Sequence, residues 1–192
     1  MAEVLDMKCP GCNNRIGLRD TECEYCGAPI VVKTSNLGKM GLADVTKYAN
    51  SYKEVAASHP ESKIANAQVG MCYVRLKLYD KAFPFLEKAI DDNMEDPDAY
   101  CMAAICLLKG KKPFVAPRAD IDKIMEYLNA ALMIAPESGI YYYLRSYIKK
   151  DYFDRKYLNV SPSSEDDYVS AIQYGTTEAD ITSLNELLGI QP

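Results

Sequence analysis

The sequence predicts a mainly α-helical protein with a small N-terminal module of two short β-hairpins, followed by antiparallel helix pairs. Three observations carry this expectation. Four of the seven cysteines fall at Cys9, Cys12, Cys23 and Cys26. From residue 43 onward, apolar residues recur at spacings of three and four, the period of a helix face. Glycine and proline there fall between the periodic stretches. The 192-residue chain carries 22 basic and 27 acidic side chains, a net charge of −5, which argues against non-specific nucleic-acid binding. No apolar run is long enough to span a membrane, and MAEVLDMKCP has no secretory h-region, so a cytoplasmic chain is expected.

The first element reads C-x2-C-x10-C-x2-C within KCPGCNNRIGLRDTECEYCGAPI. Two such hooks can put four sulfurs at the corners of a tetrahedron, the arrangement Zn²⁺ favours. Pro10 and Gly11 suit the tight turn of the first hook. Asn13 and Gly27 each follow the second cysteine of a hook, where a left-handed backbone is expected. Ile16, Leu18, Ile30 and Val31 are the expected strand residues. The segment resembles the zinc-ribbon family, over about residues 7–32. Cys9, Cys12, Cys23 and Cys26 are then the metal ligands, and four thiolates leave no open position for a catalytic water. The Zn²⁺ is therefore structural, and its binding would supply the folding free energy of a piece too small for its own core. Two disulfides, redox CxxC chemistry and rubredoxin-like iron are the other readings of this spacing.

Residues 34–42 read as a linker between the ribbon (1–33) and a helical domain (43–192). Helices are expected near 43–58, 61–78, 80–93, 97–109, 118–135, 138–150, 164–174 and 177–188. Pro60, Pro97, Pro136 and Pro162 stand at or near their boundaries. Thr177 with Asp180 has the spacing of a capping box, and Gly189 reads as the matching stop.

Paired, these helices repeat. Gly70 precedes Tyr73 by three, and Ala82, Leu86 and Ala89 follow at helical spacing. In the next pair Ala104 precedes Leu107 by three, and Leu128, Ala131 and Leu132 close before Pro136. GIYYYLRSYIKK starts a third pair, and an eight-residue excess around KKPFVAPR interrupts the second. The pattern resembles the tetratricopeptide repeat, best over about 60–150, with the last two helices as a cap; a generic helical bundle is the alternative. The resemblance implies an α-solenoid whose concave groove, lined by the first helix of each pair, binds peptides. Carried onto this sequence, the groove takes Gln68, Met71 and Arg75, then Cys101, Met102, Ile105 and Lys109, then Tyr142, Tyr143, Ser146, Lys149 and Lys150. Arg75, Lys109 and Lys150 would form a column of cations suited to an acidic or C-terminal peptide segment. Basic residues in a last helical turn are equally expected from the helix dipole.

Cys72, Cys101 and Cys106 read as small buried hydrophobes, and His59 as an exposed helix-end residue. Lys156, Tyr157, Asn159 and Ser161 mark either an ordered contact loop or a solvated connector. No familiar catalytic motif occurs, so no enzyme is expected. The expected function is a protein–protein interaction adaptor with a structural zinc ribbon. The alternative is a nucleic-acid-associated factor using the ribbon as its contact, against which the ribbon's near-neutral charge stands.

Overall fold

The structure, a computed structural model, describes residues 6–91 and 95–189. Its helices are α1 (Thr34–Leu37), α2 (Leu42–Ser58), α3 (Lys63–Arg75), α4 (Tyr79–Ile90), α5 (Pro97–Leu108), α6 (Arg118–Ile134), α7 (Gly139–Ile148), α8 (Ser164–Gln173) and α9 (Glu178–Leu188). Helix makes up 64% of the chain, so the mainly α class holds, with one small antiparallel sheet at the N-terminus. Each helix expected from periodicity is present within a few residues of its predicted bounds. The predicted end of α4 at 92–93 lies outside the described residues. Pro84 departs from the expectation that proline marks boundaries, since it sits inside α4.

The chain divides into two compact units, Met1–Met94 and Glu95–Pro192. In the first, strands β1 (Asp6–Lys8) and β2 (Arg15–Gly17) pair antiparallel with Met7 opposite Ile16, both buried. The second predicted hairpin shrinks to a single bridge between Glu22 and Pro29. Leu18 and Ile30 lie in the core rather than in a ladder, and Val31 is half-buried outside any strand. Backbone-closed turns around Cys23 and Cys26, and not an extended ladder, shape this half of the module.

The predicted linker is an ordered part of the fold. It contains α1, and Thr34 and Leu37 are buried. Helices α2, α3 and α4 pack in sequence against one another. Gly70 makes the α3–α4 approach possible, because a Cβ there would stand 2.5 Å from Cγ of Leu86. The small-residue position read from the repeat thus has a direct steric cause.

In the second unit α5 pairs with α6 and α7 pairs with α8. The excess residues between α5 and α6 fold as a 3-10 turn at Pro113–Val115. After α7 the chain runs on through a π turn (Lys149–Phe153) and a 3-10 turn (Asp154–Lys156). Helix α8 packs directly on α7 as its antiparallel partner. Helix α9 packs on α7 and α5 and buries Leu184, Leu187 and Leu188. Ser163–Asp166 and Thr177–Asp180 form complete capping boxes, and Gly189 ends α9 in the left-handed region at φ 70°.

Candidate metal centre

The two hooks fold as copies of one knuckle, fourteen residues apart in sequence. Cys9 N–H donates to the Asn14 carbonyl, and Cys23 N–H to the Ala28 carbonyl, both at 2.8 Å. Asn13 N–H closes onto the Cys9 carbonyl, and Gly27 N–H onto that of Cys23, both at 2.9 Å. The residues that close each turn take φ 62° at Asn13 and 70° at Gly27, the left-handed conformation expected from their identities. The Gly11 amide points at Cys9 Sγ, 3.3 Å away. A Cβ on Gly11 would stand 3.1 Å from Cys26 Sγ, which explains glycine inside the first hook.

These turns bring the Sγ atoms of Cys9, Cys12, Cys23 and Cys26 within 4.8 Å of one another. Two of the separations are 3.6 Å (Cys9–Cys26) and 3.7 Å (Cys12–Cys23). A tetrahedron with Zn–S bonds of about 2.3 Å has S···S edges of about 3.8 Å. A disulfide needs about 2.05 Å, and neither CxxC hook nor any cross-pair is bonded: all seven cysteines are free. The four cysteines therefore fit a metal ion held between two knuckles. Cys9 and Cys23 are buried and Cys26 is exposed. Desolvation opposes ionisation at Cys23, but the backbone amides of Tyr25 and Cys26 outweigh it and bring the thiol down to about 7.

Helices α2 and α3 clamp the segment leaving the second knuckle. The hydroxyls of Tyr48 and Tyr52 donate to the carbonyls of Pro29 and Ile30. Burial pushes the Tyr48 phenol up to about 12 and Tyr52 higher still, so both remain donors. Gln68 meets Val32 through both of its amide atoms: Val32 N–H donates to Oε1 at 2.7 Å, and Nε2 donates to the Val32 carbonyl at 3.1 Å. Arg75 donates to the Met40 carbonyl at 3.2 Å. Replacing Gln68 with alanine is expected to destabilise this unit by about 2 kcal/mol, because two buried Val32 backbone groups lose their partners. Urea unfolding followed by tyrosine fluorescence measures it, and an unchanged midpoint would contradict the pairing.

The other residues read as a peptide groove divide by accessibility. Gln68, Met71, Cys101, Met102, Ile105, Ser146 and Lys149 are buried, where an open groove face was expected. Ser146 donates to the Ser164 carbonyl at 2.7 Å, and Lys149 pairs with Asp167 at 2.7 Å. Lys109 and Lys150 are exposed, and Arg75, Tyr142 and Tyr143 are half-buried. Tyr142 stacks on Tyr174 with ring centroids 5.6 Å apart. Cys72, Cys101 and Cys106 are buried, and burial raises the Cys72 thiol to about 12, the state of a small hydrophobe. His59 ends α2, beside Glu61.

The fold and the site together define a class: antiparallel helix pairs preceded by a small module whose four cysteines could bind a metal. Among solved structures, the chain resembles MamA proteins. A MamA RS-1 ArsTM double mutant superposes with a TM-score of 0.54 at 18% identity, covering 73% of this chain and 74% of the other. A MamA fragment from Desulfovibrio magneticus RS-1 gives 0.48 at 20% identity, with 73% and 71% covered. The first likeness shows a shared helical fold. No family model and no curated protein matches the sequence. Among the described residues no helix is long and apolar enough to cross a membrane.

Proposed function

We propose that this protein is a cytoplasmic protein-interaction adaptor whose structural Zn²⁺ locks an N-terminal ribbon onto a tetratricopeptide-like helical scaffold. The observation that supports the reading is the cluster of four cysteine sulfurs, whose exit segment is held by α2 and α3. With Cys9, Cys12, Cys23 and Cys26 all ligating, the ion has no position left for water or substrate. It serves shape, and function passes to the exposed faces of the helix pairs. In this reading residues 1–33 form the knob, 34–42 fasten it, and 43–192 carry the binding faces. The likeness to MamA supports the scaffold only at the level of fold. Within the second unit, the exposed Lys109 and Lys150 would offer charge to a peptide with acidic character.

Affinity capture with the intact, nuclease-treated chain, followed by mass spectrometry, tests the adaptor role. A protein retained in reciprocal capture is the expected result. Recovery of RNA or DNA alone would replace the adaptor with a nucleic-acid factor.

A further inference from the structure

Helices α5 and α7 are the first members of their pairs, and each is held by its own second helix, α6 and α8. In stacked helix pairs the shared face of such first helices is the surface open to a ligand. Here α9 packs on both α7 and α5. Cys101, Met102 and Ile105 of α5, read from the sequence as groove residues, are all buried. On α9, Leu184, Leu187 and Leu188 are at most 1% exposed, while Glu178, Thr182 and Glu186 are exposed. The three leucines stand at positions i, i+3 and i+4, the spacing by which an amphipathic helix anchors in a groove.

Two features make α9 a weakly held occupant. It has 11 residues, a length at which an isolated helix is marginal in water, so its order depends on its seat. Its buried side also carries Ser183, 5% exposed, whose hydroxyl finds no hydrogen-bond partner among the described residues. The buried hydroxyl of Thr176, in the connector from α8, finds none either. A buried hydroxyl left unpaired opposes burial of the segment that carries it.

Resting on the adaptor reading, we propose that the face of α5 and α7 beneath α9 is a docking surface for an amphipathic helix of a partner protein with leucines at i, i+3 and i+4, and that α9 keeps it closed until such a helix displaces it. The kind of occupant follows from α9 itself, because the seat already accepts one helix of this pattern. The pairs α5–α6 and α7–α8 keep their own contacts when α9 leaves. A partner helix with a small apolar residue in the place of Ser183 buries no unpaired hydroxyl and competes well for the seat. The apparent affinity for it is reduced by the fraction of chains in which α9 has left the face.

The probe is a labelled peptide with the sequence of residues 176–189 carrying Ser183→Ala, added to the intact chain and followed by fluorescence anisotropy. In the chain, Thr177→Ala with Ala179→Gly removes the cap and weakens α9 from exposed positions, and should tighten probe binding about tenfold. Ser183→Ala in the chain strengthens α9 and should weaken probe binding about fivefold. A helix with a structural role alone would not move the affinity in both directions. Unchanged affinity in the Ser183→Ala chain, or no binding to any of the three chains, overturns the displaceable seat, whether or not the double variant folds. A probe with Leu184, Leu187 and Leu188 all replaced by alanine that binds equally well overturns the leucine pattern. Concentration-dependent dimers of the parent chain in sedimentation would give the seat to α9 of a second copy and overturn the partner assignment. These results leave the adaptor role to the capture experiment. A capture that retains no protein removes that role while the opposite shifts in probe affinity stand.

Discussion

With Cys9, Cys12, Cys23 and Cys26 holding zinc as proposed, chelation, or replacing Cys23 with serine, is expected to unfold residues 6–33 while the helices of Glu95–Pro192 keep their far-ultraviolet signal. The ribbon half from Thr21 to Ile30 has one β-bridge and two backbone-closed turns as its regular structure. Its buried apolar contribution is small, chiefly Cys23 and Ile30. Structural zinc of this type supplies about 10–16 kcal/mol of apparent binding free energy at neutral pH, far more than such a core can. Loss of the ion also withdraws the Pro29 and Ile30 carbonyls from Tyr48 and Tyr52, so α2 should lose protection against amide exchange. Metal analysis of the purified chain should find a single zinc, without the visible absorption of a ferric thiolate centre. Zinc release should accompany acidification, because thiolates must be protonated as the ion leaves. A chelated protein with an unchanged ribbon would mean that the cysteines need no metal, and the structural role would fall.

Much of this fold was legible before the structure. Proline and glycine positions placed the helix ends, and Thr177 with Asp180 announced a capping box that forms as read. The knuckles were legible because a left-handed residue is required after each hook, and Asn13 and Gly27 are among the few types that accept it. The second hairpin was not, since Ile30 and Val31 look like strand residues whether a ladder or a metal holds them. Side chains with distant partners were also hidden. The resemblance to tetratricopeptide repeats gave Gln68 and Lys149 to an open groove face. Their actual partners, Val32 and Asp167, lie 36 residues before and 18 residues after them in the chain. No local pattern encodes those meetings. The π turn after α7 was equally silent, because the apolar spacing of 139–150 is that of an ordinary helix.

Asp167→Ala is expected to be the most damaging substitution in the second unit, costing about 3–5 kcal/mol, the range for removing one partner of a buried ion pair. Asp167 is 1% exposed and accepts from Arg145 through both oxygens, at 2.8 Å and 2.6 Å. Its Oδ2 also meets the Lys149 ammonium at 2.7 Å. Lys149 is equally buried, and burial holds its ammonium below the ordinary lysine range while Asp167 opposes that shift. One carboxylate from α8 thus pairs with two cations of the α7 segment, and its loss leaves both buried without their direct ion-pair partner. Lys149→Met should cost less. It leaves the bidentate Arg145–Asp167 pair and the Arg145–Asn129 bond of 2.7 Å intact, and the methionine fills the vacated stem. The carbonyl of Pro162, to which Lys149 donates at 2.6 Å, would be the group left short. Chemical unfolding of the three proteins orders them as parent, Lys149→Met, Asp167→Ala in decreasing stability. If Asp167→Ala proves the milder change, the carboxylate is not what binds α8 to α7, and the apolar contacts of Leu144, Ile148 and Ala171 would have to hold the pair alone.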